Sequence, residues 1–150
     1  MTDTTDEKYM RLALVEAEEA ARRGEIPVGA VIVCRGRVLG RGHNLTETLT
    51  DVTAHAEMMA LTAACNSTGG KYLPDCTIYV TVEPCTMCAG ALGWSHIGRR
   101  VYGASDPKRG YFSHTRAENS AIHPKTIVES GVLEEECSRL MSDFFKKIRK

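Results

Sequence analysis

Apolar and polar positions alternate along this chain between helical and strand-like rhythms. Asp6 stands where a helix N-cap is expected, and the segment to about Arg23 reads as a first helix. Leu12, Ala13, Val15, Ala17, Ala20 and Ala21 supply much of its apolar surface, and Gly24 would stop it. Pro27 leads into Val28 to Cys34, a continuous apolar run that predicts a strand. Arg35-Gly36-Arg37 then reads as a hairpin turn into a second strand, Val38 to about His43. Residues 44–53 form a polar loop. A second helix is expected from Ala54 to about Thr68, closed by Gly69-Gly70, and the β-formers of Thr77 to Val82 predict a third strand. Pro84 suits the first turn of the next helix, where its missing N–H would be an orphan in any case. That helix carries Cys85, Cys88, Ala91 and Leu92 and fades near Trp94. A fourth strand over Arg100 to Ala104, a short fifth over Thr126 to Glu129 and a final amphipathic helix from Leu133 to about Lys147 complete the pattern. Strands alternating with helices predict an α/β layered fold, with helices packed against a central sheet.

Composition narrows the class. At 150 residues the chain is expected to form one domain with a single substantial core, and its 43% hydrophobic and 25% charged residues suit a soluble globular protein. The longest apolar run, Val28 to Cys34, is far too short to span a bilayer, so no membrane partner is expected. The polar, acidic N-terminus lacks the basic and apolar regions of an export signal. Six cysteines then read as reduced thiols, and a cytoplasmic location is expected. Net charge is zero, which does not announce a nucleic-acid binder. Bases nevertheless gather at Arg99-Arg100, at Lys108-Arg109 and in the tail from Lys146. Local patches of this kind set the field that a phosphate backbone feels, although basic helix ends equally complement the helix dipole.

The chemistry concentrates in two short stretches, His55-Ala56-Glu57 and Pro84-Cys85-Thr86-Met87-Cys88. One imidazole and two thiols suit Zn²⁺, and a catalytic zinc takes three protein ligands and keeps its fourth position for water. A structural zinc site would use a fourth protein ligand. His43, His96, His114, His123, Cys34, Cys65, Cys76 and Cys137 all remain open for that place on spacing alone. His55 begins one helix and Cys85 another, so two positive helix ends would favour thiolate over thiol at the site. Cys85 and Cys88 are three apart and would project from one helical face. His55 and Glu57 are two apart and would not, which argues against Glu57 as a ligand. Glu57 instead suits a proton carrier, general base and then general acid, in the hydrolytic removal of an amino group from an amidine-like ring.

H-x-E followed by P-C-x-x-C is the signature of the zinc-dependent nucleobase deaminases. Beyond it, the chain resembles the bacterial tRNA-specific adenosine deaminases over most of its length. The likeness runs through Ile26-Pro27-Val28-Gly29-Ala30-Val31, Thr53 to Glu57, Thr81 to Leu92, Tyr102 to Asp106, and the C-terminal Glu136-Cys137 and Asp143-Phe144-Phe145. The resemblance implies a three-layer α/β/α cytidine-deaminase-like fold with a mixed five-stranded sheet. It further implies a homodimer with one zinc per subunit, and conversion of the wobble adenosine of a tRNA anticodon stem-loop to inosine. By the same likeness His55, Cys85 and Cys88 are the zinc ligands and Glu57 the proton shuttle. Asn44 matches a base-reading asparagine, and Val28, Ala56, Asp106 and Phe145 match substrate-side positions. Read without the resemblance, Asn44 is a loop-capping residue, Asp106 a turn residue before Pro107, and Phe145 core filling on an amphipathic helix. The chain departs from the family pattern between Arg109 and Ser130, a departure that bears on substrate choice and not on the chemistry. Two other readings compete: a deaminase of free guanine, cytosine or a nucleoside, and a noncatalytic zinc-stabilised interaction domain.

Overall fold

Residues alternate between the two faces of a central sheet, and each face buries its own core. In the computed structural model, which describes residues 3–111 and 122–148, Ala30 and Ile32 of strand β1 (Gly29–Cys34) point to one side and Val31 and Val33 to the other. Strand β3 (Cys76–Val82) divides likewise, Ile78 and Val80 against Tyr79. With β2 (Arg37–His43), β4 (Arg99–Ala104) and β5 (Ile127–Ser130), the sheet runs β2-β1-β3-β4-β5. β1 is antiparallel to β2 and β3, and β4 is parallel to β3 and β5, so the sheet is mixed. Strands buried on both faces read as unbroken apolar runs, which is why Val28 to Cys34 shows no alternation. Helices α2 (Ala56–Thr68) and α3 (Thr86–Trp94) cover one face, while α1 (Thr5–Arg22) and α4 (Glu134–Ile148) cover the other. The expected three-layer α/β/α arrangement is observed.

Small residues set the spacing of these layers. α2 lays Ala56, Ala60 and Ala64 on the sheet, and a Cβ on Gly42 of β2 would stand 2.5 Å from the Ala56 carbonyl oxygen and 2.6 Å from the Ala60 nitrogen. Only glycine admits so close a helix, and this contact fixes the N-terminal turn of α2, which carries the Glu57 side chain.

The first helix differs from its expected form in two respects. Its N-cap is Thr4, not Asp6, because Thr4 and Glu7 form a reciprocal capping box that satisfies two orphan N–H groups. Its buried stripe is Tyr9, Met10, Ala13, Ala17 and Ala20, and Val15 faces solvent. Freed from capping, the Asp6 carboxylate accepts from Arg99 Nη1 at 2.7 Å, Arg99 Nη2 at 2.6 Å and the Tyr79 hydroxyl at 2.7 Å, tying α1 to β3 and β4. The Arg99 guanidinium is the main cause of an Asp6 carboxyl held below its ordinary value. A carboxyl depressed in the folded state contributes stability above its unfolded pKa, and that contribution disappears as pH falls through the folded value. Asp6→Asn is therefore expected to lower unfolding free energy at pH 7 by about 1–3 kcal/mol, with the gap to the parent closing below about pH 4. Urea titrations at pH 7 and pH 3 measure both.

Candidate active site

The start of α2 and the start of α3 meet at the metal-ligand cluster. His55 is the N-cap of α2 and Cys85 the N-cap of α3, both in extended conformation, and neither makes a side-chain capping hydrogen bond. N-caps are ordinarily Ser, Thr, Asp or Asn, which spend their side chains on backbone N–H groups. Here the two positions present an imidazole and a thiol instead. Pro84 lies just before the N-cap and not in the first turn, so the helix begins one residue later than its proline suggested. Cys85 therefore flanks the helix and Cys88 occupies its first turn; three positions apart, they still turn both sulfurs to one place, beside His55 Nδ1.

His55 Nδ1 lies 3.7 Å from Cys85 Sγ and 3.6 Å from Cys88 Sγ, and the three ligand atoms are all within 4.8 Å of one another. A tetrahedral zinc with Zn–S of about 2.3 Å and Zn–N of about 2.0–2.1 Å has N···S edges of about 3.6 Å, so these donors fit the ion. No other His, Cys, Asp or Glu joins the cluster among the described residues. His43 instead engages Glu16 Oε1 through Nδ1 at 2.9 Å, and His96 stacks on Tyr72 and lies against His123. Cys34 pairs with Cys76 across β1 and β3, and Cys137 is buried in the core on the opposite face of the sheet. His114, with the rest of 112–121, lies outside the described residues.

The electrostatics prepare one donor, Cys85, ahead of the others. Hydrogen bonding from Cys88, with a further contribution from His55, brings the Cys85 thiol down to about 3, the ligating thiolate form. Cys85 in turn pushes His55 up, and the Cys85 thiolate with burial pushes Cys88 up. Glu57, one residue into α2, is 4% exposed, and burial pushes its carboxyl up to about 7.

The cluster opens into a cavity of about 650 Å³, within the usual range for small-molecule pockets. Every substrate-side position expected from the sequence is in its lining: Val28, Asn44, Ala56, Asp106 and Phe145. Asn44 does cap its loop, with Oδ1 accepting from Thr46 N at 3.1 Å and Nδ2 donating to Ile26 O at 3.3 Å. One Nδ2 hydrogen and one Oδ1 lone pair remain for a ligand. Asp106 is likewise a turn residue, accepting from the Lys108 and Arg109 amides at 3.2 and 3.1 Å. Several contributors escaped the sequence reading, three of them instructive. Met141 and Ser142 of α4 reach the cavity, and Glu83, 3% exposed, accepts from Asp106 N at 2.9 Å and so holds the loop that carries Asp106. Its place beside Pro84-Cys85 was the available signal.

The profile of the cytidine and deoxycytidylate deaminase zinc-binding region matches residues 3–104. The tRNA-specific adenosine deaminase of Bacillus subtilis (strain 168) is 45% identical over 150 residues, spanning 98% of this chain and 92% of its own. This chain belongs to the tRNA-specific adenosine deaminase family. Its fold agrees with that of a family structure solved for the study of A-to-I editing by tRNA:A34 deaminases at the wobble position of transfer RNA. That likeness has a TM-score of 0.83 at 44% identity and covers 89% of this chain and 98% of the other. A guanine deaminase from Nitrosomonas europaea shares the fold at a TM-score of 0.83 and 22% identity, covering 96% of this chain and 86% of its own. The deaminase fold is thus common to enzymes of different substrates, and the substrate must be argued from the site.

Proposed function

We propose that this chain hydrolyses the wobble adenosine of a tRNA anticodon to inosine, with release of ammonia, using one zinc per subunit held by His55, Cys85 and Cys88. The observation that carries this reading is a buried carboxylate, Glu57, beside three donors spaced for a tetrahedral ion at the foot of an open cavity. Zinc held there would acidify a water and so supply a nucleophile at neutral pH. The remaining work falls to the chain. The Glu57 carboxylate would take a proton from the attacking water and deliver it to a ring nitrogen of the base, then take the remaining proton of the added hydroxyl and pass it to the departing amine as the C–N bond breaks. Its burial excludes bulk water that would exchange this proton. Asn44 reads a base edge with the amide hydrogen and lone pair that its loop contacts leave over. Val28, Ala56 and Phe145 supply apolar surface for the splayed base, and Asp106 borders it. Lys108 and Arg109, exposed at the mouth, suit the flanking phosphates. The names of the relatives favour tRNA over a free base. The resemblance also carries a homodimer and a cytoplasmic location into this reading. Trp94, 82% exposed at the end of α3, is in keeping with a subunit contact, and no helix among the described residues is long and apolar enough to cross a membrane.

The zinc-loaded protein is expected to convert an anticodon stem-loop bearing a wobble adenosine to its inosine form, read by nucleoside analysis of the digested RNA. Free adenosine, guanine and cytosine are run beside it. Ammonia from a free base with no change in the RNA would overturn the substrate, and inactivity on all of them would overturn the enzyme.

A further inference from the structure

Glu25 carries a carboxylate where one is least expected. It is 1% exposed and closes the turn that ends α1: Gly24 N donates to Ala21 O at 3.0 Å and Glu25 N to Ala20 O at 2.9 Å. The residue two beyond a helix cap in this motif usually makes an apolar contact, and the negative end of the helix repels an anion. Three donors from a distant loop answer it. Glu47 N donates to Oε1 at 3.1 Å, and Thr48 N and Thr48 Oγ1 donate to Oε2 at 2.6 and 2.7 Å. Burial alone would push this carboxyl up; the Thr48 hydroxyl with the Thr48 and Glu47 amides outweighs it and holds the group below its ordinary value.

The same two stretches are stitched again beside it, Asn44 N donating to Val28 O at 3.1 Å and Asn44 Nδ2 to Ile26 O. Ile26, Val28, Asn44 and Thr46 together form one wall of the cavity. Apolar anchorage of the loop is limited to the partly buried Leu45, since Leu49 is 51% and Val52 83% exposed. Its place against the pocket depends on polar contacts, and Glu25 supplies the most concentrated set. We propose that Glu25 is a positioning residue, whose buried carboxylate holds the 44–48 loop in place as the base-reading wall of the pocket. It lies outside both the His55, Cys85 and Cys88 cluster and the lining of the cavity. The consequence for RNA rests on the proposed function, whereas the anchoring does not.

Glu25→Ala removes all three acceptor contacts, and Glu25→Gln sets an NH₂ group against one donor. Thr48→Val removes one contact from an exposed residue and so leaves folding untouched should Glu25→Ala fail to fold. Zinc content, amide hydrogen exchange at Glu47 and Thr48, and kcat and KM on the anticodon stem-loop are measured for each. The expected result for Glu25→Ala is full zinc, exchange at those two amides at least about tenfold faster, and KM raised about tenfold with kcat within about threefold, the pattern of a lost binding surface. Thr48→Val follows in the same direction by about threefold, and Glu25→Gln falls between. Unchanged exchange in the Glu25 and Thr48 variants overturns the anchoring. Faster exchange with unchanged KM overturns its role in binding. If the parent protein leaves the RNA unaltered, the proposed substrate falls while the exchange rates still decide whether Glu25 holds the loop.

Discussion

Glu57→Gln is expected to lower turnover by about 10³–10⁴ while the protein keeps its zinc and its fold. The substitution preserves shape and removes only the capacity to accept and return a proton. No other carboxylate can take over readily: Glu83, the nearest in sequence to Cys85 and Cys88, is committed to the Asp106 amide, and Glu25 to the Glu47 and Thr48 amides. Because Glu57 is 4% exposed and its carboxylate suffers from burial, a neutral amide in its place relieves desolvation. Melting temperature is therefore expected to stay level or rise, a change opposite in sign to the loss of activity. A fall in both would mean that Glu57 serves the structure. Retained turnover would return the chain to the reading of a zinc-stabilised interaction domain. Metal content by elemental analysis, single-turnover kinetics and a melting curve on one preparation separate these outcomes.

What the sequence made legible follows from the range of the forces involved. The metal cluster could be read because its donors lie at the starts of two helices whose hydrophobic patterns are local, and because H-x-E and P-C-x-x-C tie residue type to spacing. Both faces of the sheet could be inferred from the unbroken run in β1. The cap of α1 was misplaced because Asp6 and Thr4 both have capping side chains. The decision between them came from the Thr4–Glu7 box nearby and from Arg99, 93 positions away. Glu25 and Glu83 lay beyond reach for a similar reason: all but one of the donors named for them, the Thr48 hydroxyl, are backbone amides, which carry no residue signature, on segments 22 to 23 positions distant. Buried carboxylates clamped by backbone are invisible to pattern, yet they set the walls in which the recognisable residues act.

Stripping the metal is expected to abolish turnover and lower the melting temperature by about 10 °C, with both restored by Zn²⁺. A ligand at 1,000 times its Kd stabilises by about 4 kcal/mol, and for a chain of this size each kcal/mol moves the midpoint by about 2–4 °C. The fold itself is expected to survive. Unlike a zinc finger, the chain buries Ala56, Ala60, Ala64 and Leu92 against Ile32, Ile78 and Val80 without help from an ion, so α2 and α3 stay docked when their caps are empty. What is lost is the reason for holding an imidazole and two sulfurs within 4.8 Å of one another. Without the ion these groups are left to bond among themselves. Since imidazole and thiol must both shed protons to bind zinc, stripping by a chelator proceeds more readily in mild acid than at neutral pH. Circular dichroism before and after dialysis against a chelator, with activity and melting on the same samples, tests the whole expectation. Unfolding on metal loss would make the zinc structural, and unchanged activity in metal-free protein would remove it from the chemistry.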